Sequence, residues 1–475
     1  MTAVRRTPAS AADNCSELDR RGFLKLAGAA TAAGTAAMAT PLPALADHRH
    51  GHDSDEDVGF DIKPGWSEKK IFKEVRKLFV LPKDSVYMNI GTTGSMPRQV
   101  LKNYNDYNRL VAEDPWEMGG EWGGFPYTNE LAARIAPQYG CDPSELIISR
   151  NTTDGMCSIL HGLDLKAGDH VITTHHEHVA AEEPLAVLAN RIGIDLEIID
   201  IPVFATSEDE YLAAFAAAVR PNTRLIEMSH ITYKTGAVLP VERICNEIAV
   251  PNGIVTVIDG AHASGMLHLD LHAINCDFYS ASGHKWQCGP GGTGLLYVRD
   301  NASRAAQFWP DREPLWAVNS SLATYAPVFG WQWVLQYKGQ DNYPALRALA
   351  DSCDLWAQIG RDRIEAHDKA LSTLTKDLIQ GTFPDAVLYS PNVPELTSGI
   401  SSFNPFPDQS DLDTLNLFRD RLREEYGYIV RTTDFEITQG SGEVHALRIS
   451  THLFHDEDDV MGLVDAMADL FAQMV

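Results

Sequence analysis

Cysteine is scarce in this chain. There are seven in 475 residues, and no two stand as C-x-x-C, which removes the usual spacing of a structural zinc site. Basic residues are also few: 39 Lys and Arg face 65 Asp and Glu, a formal charge of −26. That deficit argues against nucleic acid or an anionic membrane surface as a partner. Long apolar runs are missing too. The weakly apolar stretch near the N-terminus is interrupted by Gly28, Gly34 and several threonines, which makes it a poor membrane anchor. Beyond the first 65 residues there is no internal repeat and no low-complexity block. With 22% charged and 44% hydrophobic residues, the chain has the composition of an ordinary soluble globule, long enough for a large domain and a smaller one.

The first 46 residues read as an address rather than as fold. Asp19-Arg20-Arg21-Gly22-Phe23-Leu24-Lys25 precedes an alanine-rich stretch that ends in Pro43-Ala44-Leu45-Ala46. Together these form a twin-arginine export signal with its cleavage site. The expected partner is the twin-arginine export machinery, and the expected location is periplasmic or secreted. Cys15 leaves with the signal, and the other six cysteines read as mostly buried free thiols. Residues 47–65 read as a flexible leader. His48, His50 and His52 alternate there and could bind a metal, but the same pattern suits a solvated tail, so no metal site is assigned.

The chain turns on one stretch, Phe278-Tyr279-Ser280-Ala281-Ser282-Gly283-His284-Lys285-Trp286, followed by Gly289-Pro290-Gly291-Gly292-Thr293-Gly294. A short apolar strand ends in a small-residue turn carrying one lysine, and a second strand, Leu295 to Val298, follows. Lysine forms Schiff bases with carbonyls once it loses its proton, although a lone turn lysine is usually only exposed. Upstream, Ile254-Val255-Thr256-Val257-Ile258 is a buried-strand pattern ending in Asp259-Gly260-Ala261-His262-Ala263. The carboxyl ends of parallel strands are where open α/β sheets hold ligands. Pyridoxal 5'-phosphate (PLP) needs a lysine for its aldehyde and an acid on its pyridinium nitrogen. Lys285 and Asp259 are that pair of residue types.

With these two motifs the sequence resembles the class V aminotransferase family of PLP enzymes, in the style of its isopenicillin N epimerase branch and related to cysteine desulfurases. The resemblance runs from about Leu81 to the C-terminus. It implies PLP fold type I: a large domain with a mostly parallel seven-stranded sheet between helices, and a smaller α+β C-terminal domain. The strand, loop and helix alternation from about 146 to 298 reads the same way. The expected division is a segment 66–100 packing on the small domain, a PLP-binding domain 101–345 and a C-terminal domain 346–475. Further expected elements are helices at Trp66–Phe79, Ala132–Tyr139, Val238–Val250, Ala345–Leu374 and Asp411–Tyr426. Strands are expected at Leu146–Ser149 and Ile429–Thr432.

The resemblance also implies site residues. Thr152 and Thr153, with Asp154, match a threonine-threonine-acid triplet that holds the PLP phosphate at a helix N-terminus. By itself the stretch also suits an ordinary N-cap. Ser282 and His284 would join this cup, and His262 would contact the cofactor. His178 takes the place of the residue that stacks on the pyridine ring. Tyr233 departs from the desulfurase pattern, which has asparagine there. Gln340 stands where the family has a threonine that crosses a dimer interface to the neighbouring phosphate, so a homodimer is expected. Asn89 and Gly91 lie in a loop lining the substrate pocket. Arg448, in the last strand, would grip the substrate carboxylate, with Arg431 as a second choice.

The expected function is a PLP-dependent enzyme acting at the α-carbon of an amino acid or derived substrate through a Lys285 Schiff base. It is epimerase- or racemase-like, or an aminotransferase; a carbon–sulfur lyase or a non-catalytic ligand-binding descendant are the alternatives. After Arg431 come Thr432-Thr433-Asp434-Phe435, and no cysteine follows Cys353. The persulfide route of desulfurases therefore lacks its thiol.

Overall fold

The computed structural model of the chain describes residues 60–116 and 125–475. The stretches read above as an export signal and, as far as residue 59, as a leader lie outside the described residues. Ser67 caps the helix Glu68–Arg76 by accepting the Lys70 N–H at 3.3 Å, and Ile71, Phe72 and Val75 form its buried face. Strand β1 (Val86–Tyr87) follows, then the helix Arg98–Glu113. The helix expected at Ala132–Tyr139 is longer at its start. It covers Phe125–Ile135 and passes into a 3₁₀ turn, Ala136–Tyr139, that ends at Gly140 with φ +61°.

Seven strands then form one sheet: β2 (Leu146–Ser149), β3 (His170–Thr174), β4 (Asp195–Ile199), β5 (Thr223–Ser229), β6 (Val255–Asp259), β7 (Phe278–Ser282) and β8 (Gly294–Val298). Their order is β2-β8-β7-β6-β5-β3-β4. Every pairing from β7 to β4 is parallel, and β8 lies antiparallel between β7 and β2. The apolar runs are continuous because both faces are covered. Alternate residues separate into two cores. Ile148, Ile172, Ile226, Ile258 and Tyr279 pack on one face, and Ile147, Val171, Leu225, Val257 and Phe278 on the other. The sheet is the mostly parallel seven-stranded one expected.

A second sheet is built late in the chain. Its region holds strands β9 (Val387–Leu388), β10 (Ile400–Asn404), β11 (Tyr428–Ile429), β12 (Arg431–Glu436) and β13 (Glu443–Ser450), with the helix Leu412–Tyr426 between β10 and β11. Four of them form an antiparallel sheet in the order β12-β13-β10-β9, while β11 pairs in parallel with β1. The single strand expected at Ile429–Thr432 is thus two, in different sheets, separated at Val430. The long helix expected over Ala345–Leu374 is likewise two, Tyr343–Ile359 and Arg361–Thr382. Gly360 breaks it at φ +98°, a conformation glycine adopts at no steric cost. All six cysteines among the described residues are free, and five are buried.

Candidate active site

The carboxyl ends of the parallel strands converge on one edge. There β6 delivers Asp259, whose Oδ1 accepts the Ala261 N–H at 2.8 Å. Burial raises its pKa, while Lys285 and His178 pull it back. Adjacent β7 ends at Ser282, and the turn after it carries Lys285, half-buried, with Nζ 3.4 Å from His262 Nε2. Burial lowers the Lys285 pKa to about 8; Asp259 opposes this, and the Arg448 and Arg431 cations assist. A lysine so placed is neutral for about a tenth of the time at pH 7, far more than an ordinary lysine. From β3 the chain reaches His178, which caps the helix Val179–Ile192 by accepting the Ala180 N–H on Nδ1 at 3.1 Å. Its ring stands 5.3 Å from that of Tyr233, nearly perpendicular. Behind it Glu177 accepts hydrogen bonds from Thr174 and Ser229, and Glu227 accepts one from Thr173.

Strand β2 supplies the second wall. Asn151 caps the helix Thr152–Leu160 by accepting the Asp154 N–H at 2.8 Å. This leaves the first-turn N–H groups of Thr152 and Thr153 pointing out of the helix end. Thr152 Oγ1 meets Ser282 Oγ at 2.6 Å, so two of the predicted cup residues touch; Thr153 is exposed beside them. Gly155 lets the helix lie on β7: a Cβ there would stand 2.1 Å from Ser280 Oγ. The His284 Nδ1 is buried without a hydrogen-bond partner. Gln340 is exposed on a turn that Lys338 ties to this helix through Asp154 and Ser158, each at 2.9 Å.

The third wall comes from the second sheet. Arg448 is 1% exposed and has no carboxylate within ion-pair distance among the described residues. Its Nη1 donates to the Tyr233 carbonyl at 3.0 Å, and Nη2 reaches Asn89 Oδ1 and Thr92 Oγ1 at 3.5 and 3.4 Å. Its Nε has no partner. Burial and the neighbouring Arg431 lower its pKa to about 9. Arg431 is directly opposite Arg448 in the β12–β13 register and is exposed, with Nη1 3.5 Å from Thr92 Oγ1. Gly91 admits the guanidinium, since a Cβ there would lie 3.1 Å from Arg448 Nη2 and 3.3 Å from His262 Cε1.

The comparisons bear directly on this arrangement. Residues 86–461 match the family described as Aminotransferase class-V. The chain belongs to the class V aminotransferase family. It is 28% identical over 405 residues to isopenicillin N epimerase of Streptomyces clavuligerus, which covers 83% of this chain and 97% of that protein. It is also 28% identical over 404 residues to a probable cysteine desulfurase of Halobacterium salinarum, covering 81% and 91%. In shape it is similar to the apo cysteine desulfurase from Thermococcus onnurineus NA1, with a TM-score of 0.70 at 22% identity over 84% of this chain and 98% of that one. At that identity the likeness speaks for the fold.

PLP is the cofactor of the class V aminotransferase family, and the residues present fit it. Thr152, Ser282 and the helix end offer donors to a phosphate, and His284 Nδ1 lacks a partner beside them. Asp259 is the buried acid suited to a pyridinium, and Lys285 the amine suited to an aldehyde. Arg448 is a buried cation with no counter-charge among the described residues, the state of a group that waits for an anion. Two participants escaped the sequence reading. Thr92 shares the pocket with Asn89, and its place in a Thr-Thr-Gly turn was the only available signal. Trp286 bonds His262 through its indole, and nothing in the sequence links those two positions.

Proposed function

We propose that this class V enzyme moves a proton at the α-carbon of an amino-acid substrate, as an epimerase or racemase. The observation that carries the reading is Arg448: buried, lacking a carboxylate partner among the described residues, and in the same pocket as a lysine whose pKa is lowered to about 8. PLP, when bound, supplies an electron sink that makes the α-proton removable. Arg448 binds the substrate carboxylate through its planar fork and turns the α-carbon toward Lys285. Lys285, as the neutral amine, takes the α-proton and holds it at Nζ. Asp259 holds a proton at the ring nitrogen, and His178 offers an aromatic face to the ring. Delivery of a proton to the opposite face of the α-carbon completes an epimerisation without a second substrate. The relatives at 28% identity include both an epimerase and a probable desulfurase. The absence of cysteine after Cys353, together with the burial that raises the Cys288 thiol, favours the former.

The same reading takes the enzyme as a homodimer in which Gln340 meets the neighbouring copy's cofactor phosphate, and as an exported protein. The test is exchange in deuterated water with single amino acids and no added keto acid. Deuterium should enter the α-position as optical rotation is lost, at a rate that rises with pH through about 8 and vanishes in Lys285→Ala. An absolute requirement for a keto acid would make the enzyme an aminotransferase, and released sulfide would make it a lyase.

A further inference from the structure

His262 and Trp286 raise a question of hydrogen atoms. Both side chains are buried. The Trp286 indole can only donate, and its Nε1 lies 3.2 Å from His262 Nδ1. Nδ1 must therefore accept. A neutral imidazole that accepts on Nδ1 carries its proton on Nε2, and Nε2 is the atom 3.4 Å from Lys285 Nζ. Burial keeps His262 neutral, and the Lys285, Arg448, His178 and Arg431 charges push the same way. The Nε2–H thus faces the lysine nitrogen as a donor. An ammonium cannot accept that bond and a free amine can.

Trp286 has little freedom to release the contact. Its carbonyl accepts from His452 Nε2 at 2.7 Å, and its ring meets that of His452 edge-on at 5.1 Å. His452 Nδ1 in turn bonds Asp368 Oδ2 at 2.8 Å. On the ring's far side Gly399 leaves the room: a Cβ there would sit 3.0 Å from Trp286 Cζ3. The indole is thus clamped by residues flanking β10 and β13, backed by the helix Arg361–Thr382, while its N–H is aimed at a residue following β6.

We propose that Trp286 is a positioning residue: by occupying Nδ1 of His262 it fixes the Nε2–H tautomer, so that His262 donates to the Lys285 nitrogen and favours its unprotonated form. The proposal rests on Lys285 being the reactive amine, and its first test does not.

That test is nitrogen NMR of the full-length chain as purified, carrying [15N]histidine, with the His262 signals assigned by their loss in His262→Gln. His262 should show the Nε2–H tautomer throughout about pH 6 to 9. An Nδ1–H tautomer overturns the proposal, whether or not any variant folds. The second test is the pH midpoint of the visible cofactor band, which reports the lysine nitrogen. Lys285 is faced by Asp259 from β6, Arg448 and Arg431 from β13 and β12, and by His178, His262 and His284. Those charges stay in place when Trp286 becomes Phe. Trp286→Phe should raise the midpoint by about one pH unit, the worth of one hydrogen bond. Leucine at 262 has neither donor nor acceptor for Trp286 to orient. In the His262→Leu background, Trp286→Phe should therefore leave the midpoint where it is. An equal shift in both backgrounds would make Trp286 mere packing and overturn the proposal. If no cofactor band forms at all, the lysine assignment fails, and the tautomer result stands separately.

Discussion

Arg448 and Arg431 show how far one residue's surroundings decide its use. They face each other across β12 and β13, yet one is buried and the other exposed. Arg448 has two half-made hydrogen bonds and one unmade, which holds its fork ready for a planar carboxylate. Arg448→Lys keeps the charge and loses the fork. It should lower kcat/KM on the order of 10²-fold, mostly through KM, and leave the cofactor's visible spectrum unchanged. A matching loss of the spectrum would place Arg448 in cofactor binding instead. The residue types of this site were largely legible in the chain: the acid ending one strand, the lysine after the next, the threonines opening a helix. Their bonding was not. Only the folded chain shows that the Trp286 indole reaches a histidine 24 positions earlier.

The elements set the distances between those residues, and glycines set how closely the elements approach. The helix Thr152–Leu160 rests on β7 because Gly155 has no side chain where Ser280 lies. Gly155→Ala should push the helix end away from Ser282. The expected cost is about 2 kcal/mol in urea unfolding, with weaker cofactor retention in dialysis. A variant that keeps both stability and cofactor would show that the helix yields without consequence. The same scale explains where the sequence reading fell short. The strands β6, β7 and β8 read clearly because continuous apolar runs end in turn residues. The break at Gly360 hid inside an amphipathic pattern that continues on both sides, since local periodicity does not record a change of axis. Likewise Ile429 and Arg431 are near neighbours in an apolar stretch, and only tertiary pairing assigns them to different sheets.

For the whole molecule, the cofactor edge gathers three buried carboxylates, Glu177, Glu227 and Asp259. Burial raises all three, Glu177 to about 7, and the repulsion between Glu177 and Glu227 adds to the effect. Unfolded carboxylates ionise near their ordinary values, so between about pH 5 and 7 the native chain holds more protons than the unfolded one. Their contribution to stability is therefore greatest below that window and is lost as pH rises through it. Glu227→Gln removes one of these groups. The loaded enzyme should then lose less stability from pH 5 to 8, with Tm at pH 8 higher by about 2 °C. An unchanged slope in scanning calorimetry would remove Glu227 from the account. The pairing of β1 with β11 has a further consequence, for the order in which a ribosome completes the pocket. Arg448 meets Asn89 across 359 positions of chain, whereas Asp259 and Lys285 emerge close together and much earlier. At common synthesis rates the interval between Lys285 and Arg448 is on the order of ten to thirty seconds. For that interval a nascent chain already carries its reactive amine and has nothing to aim a substrate at it.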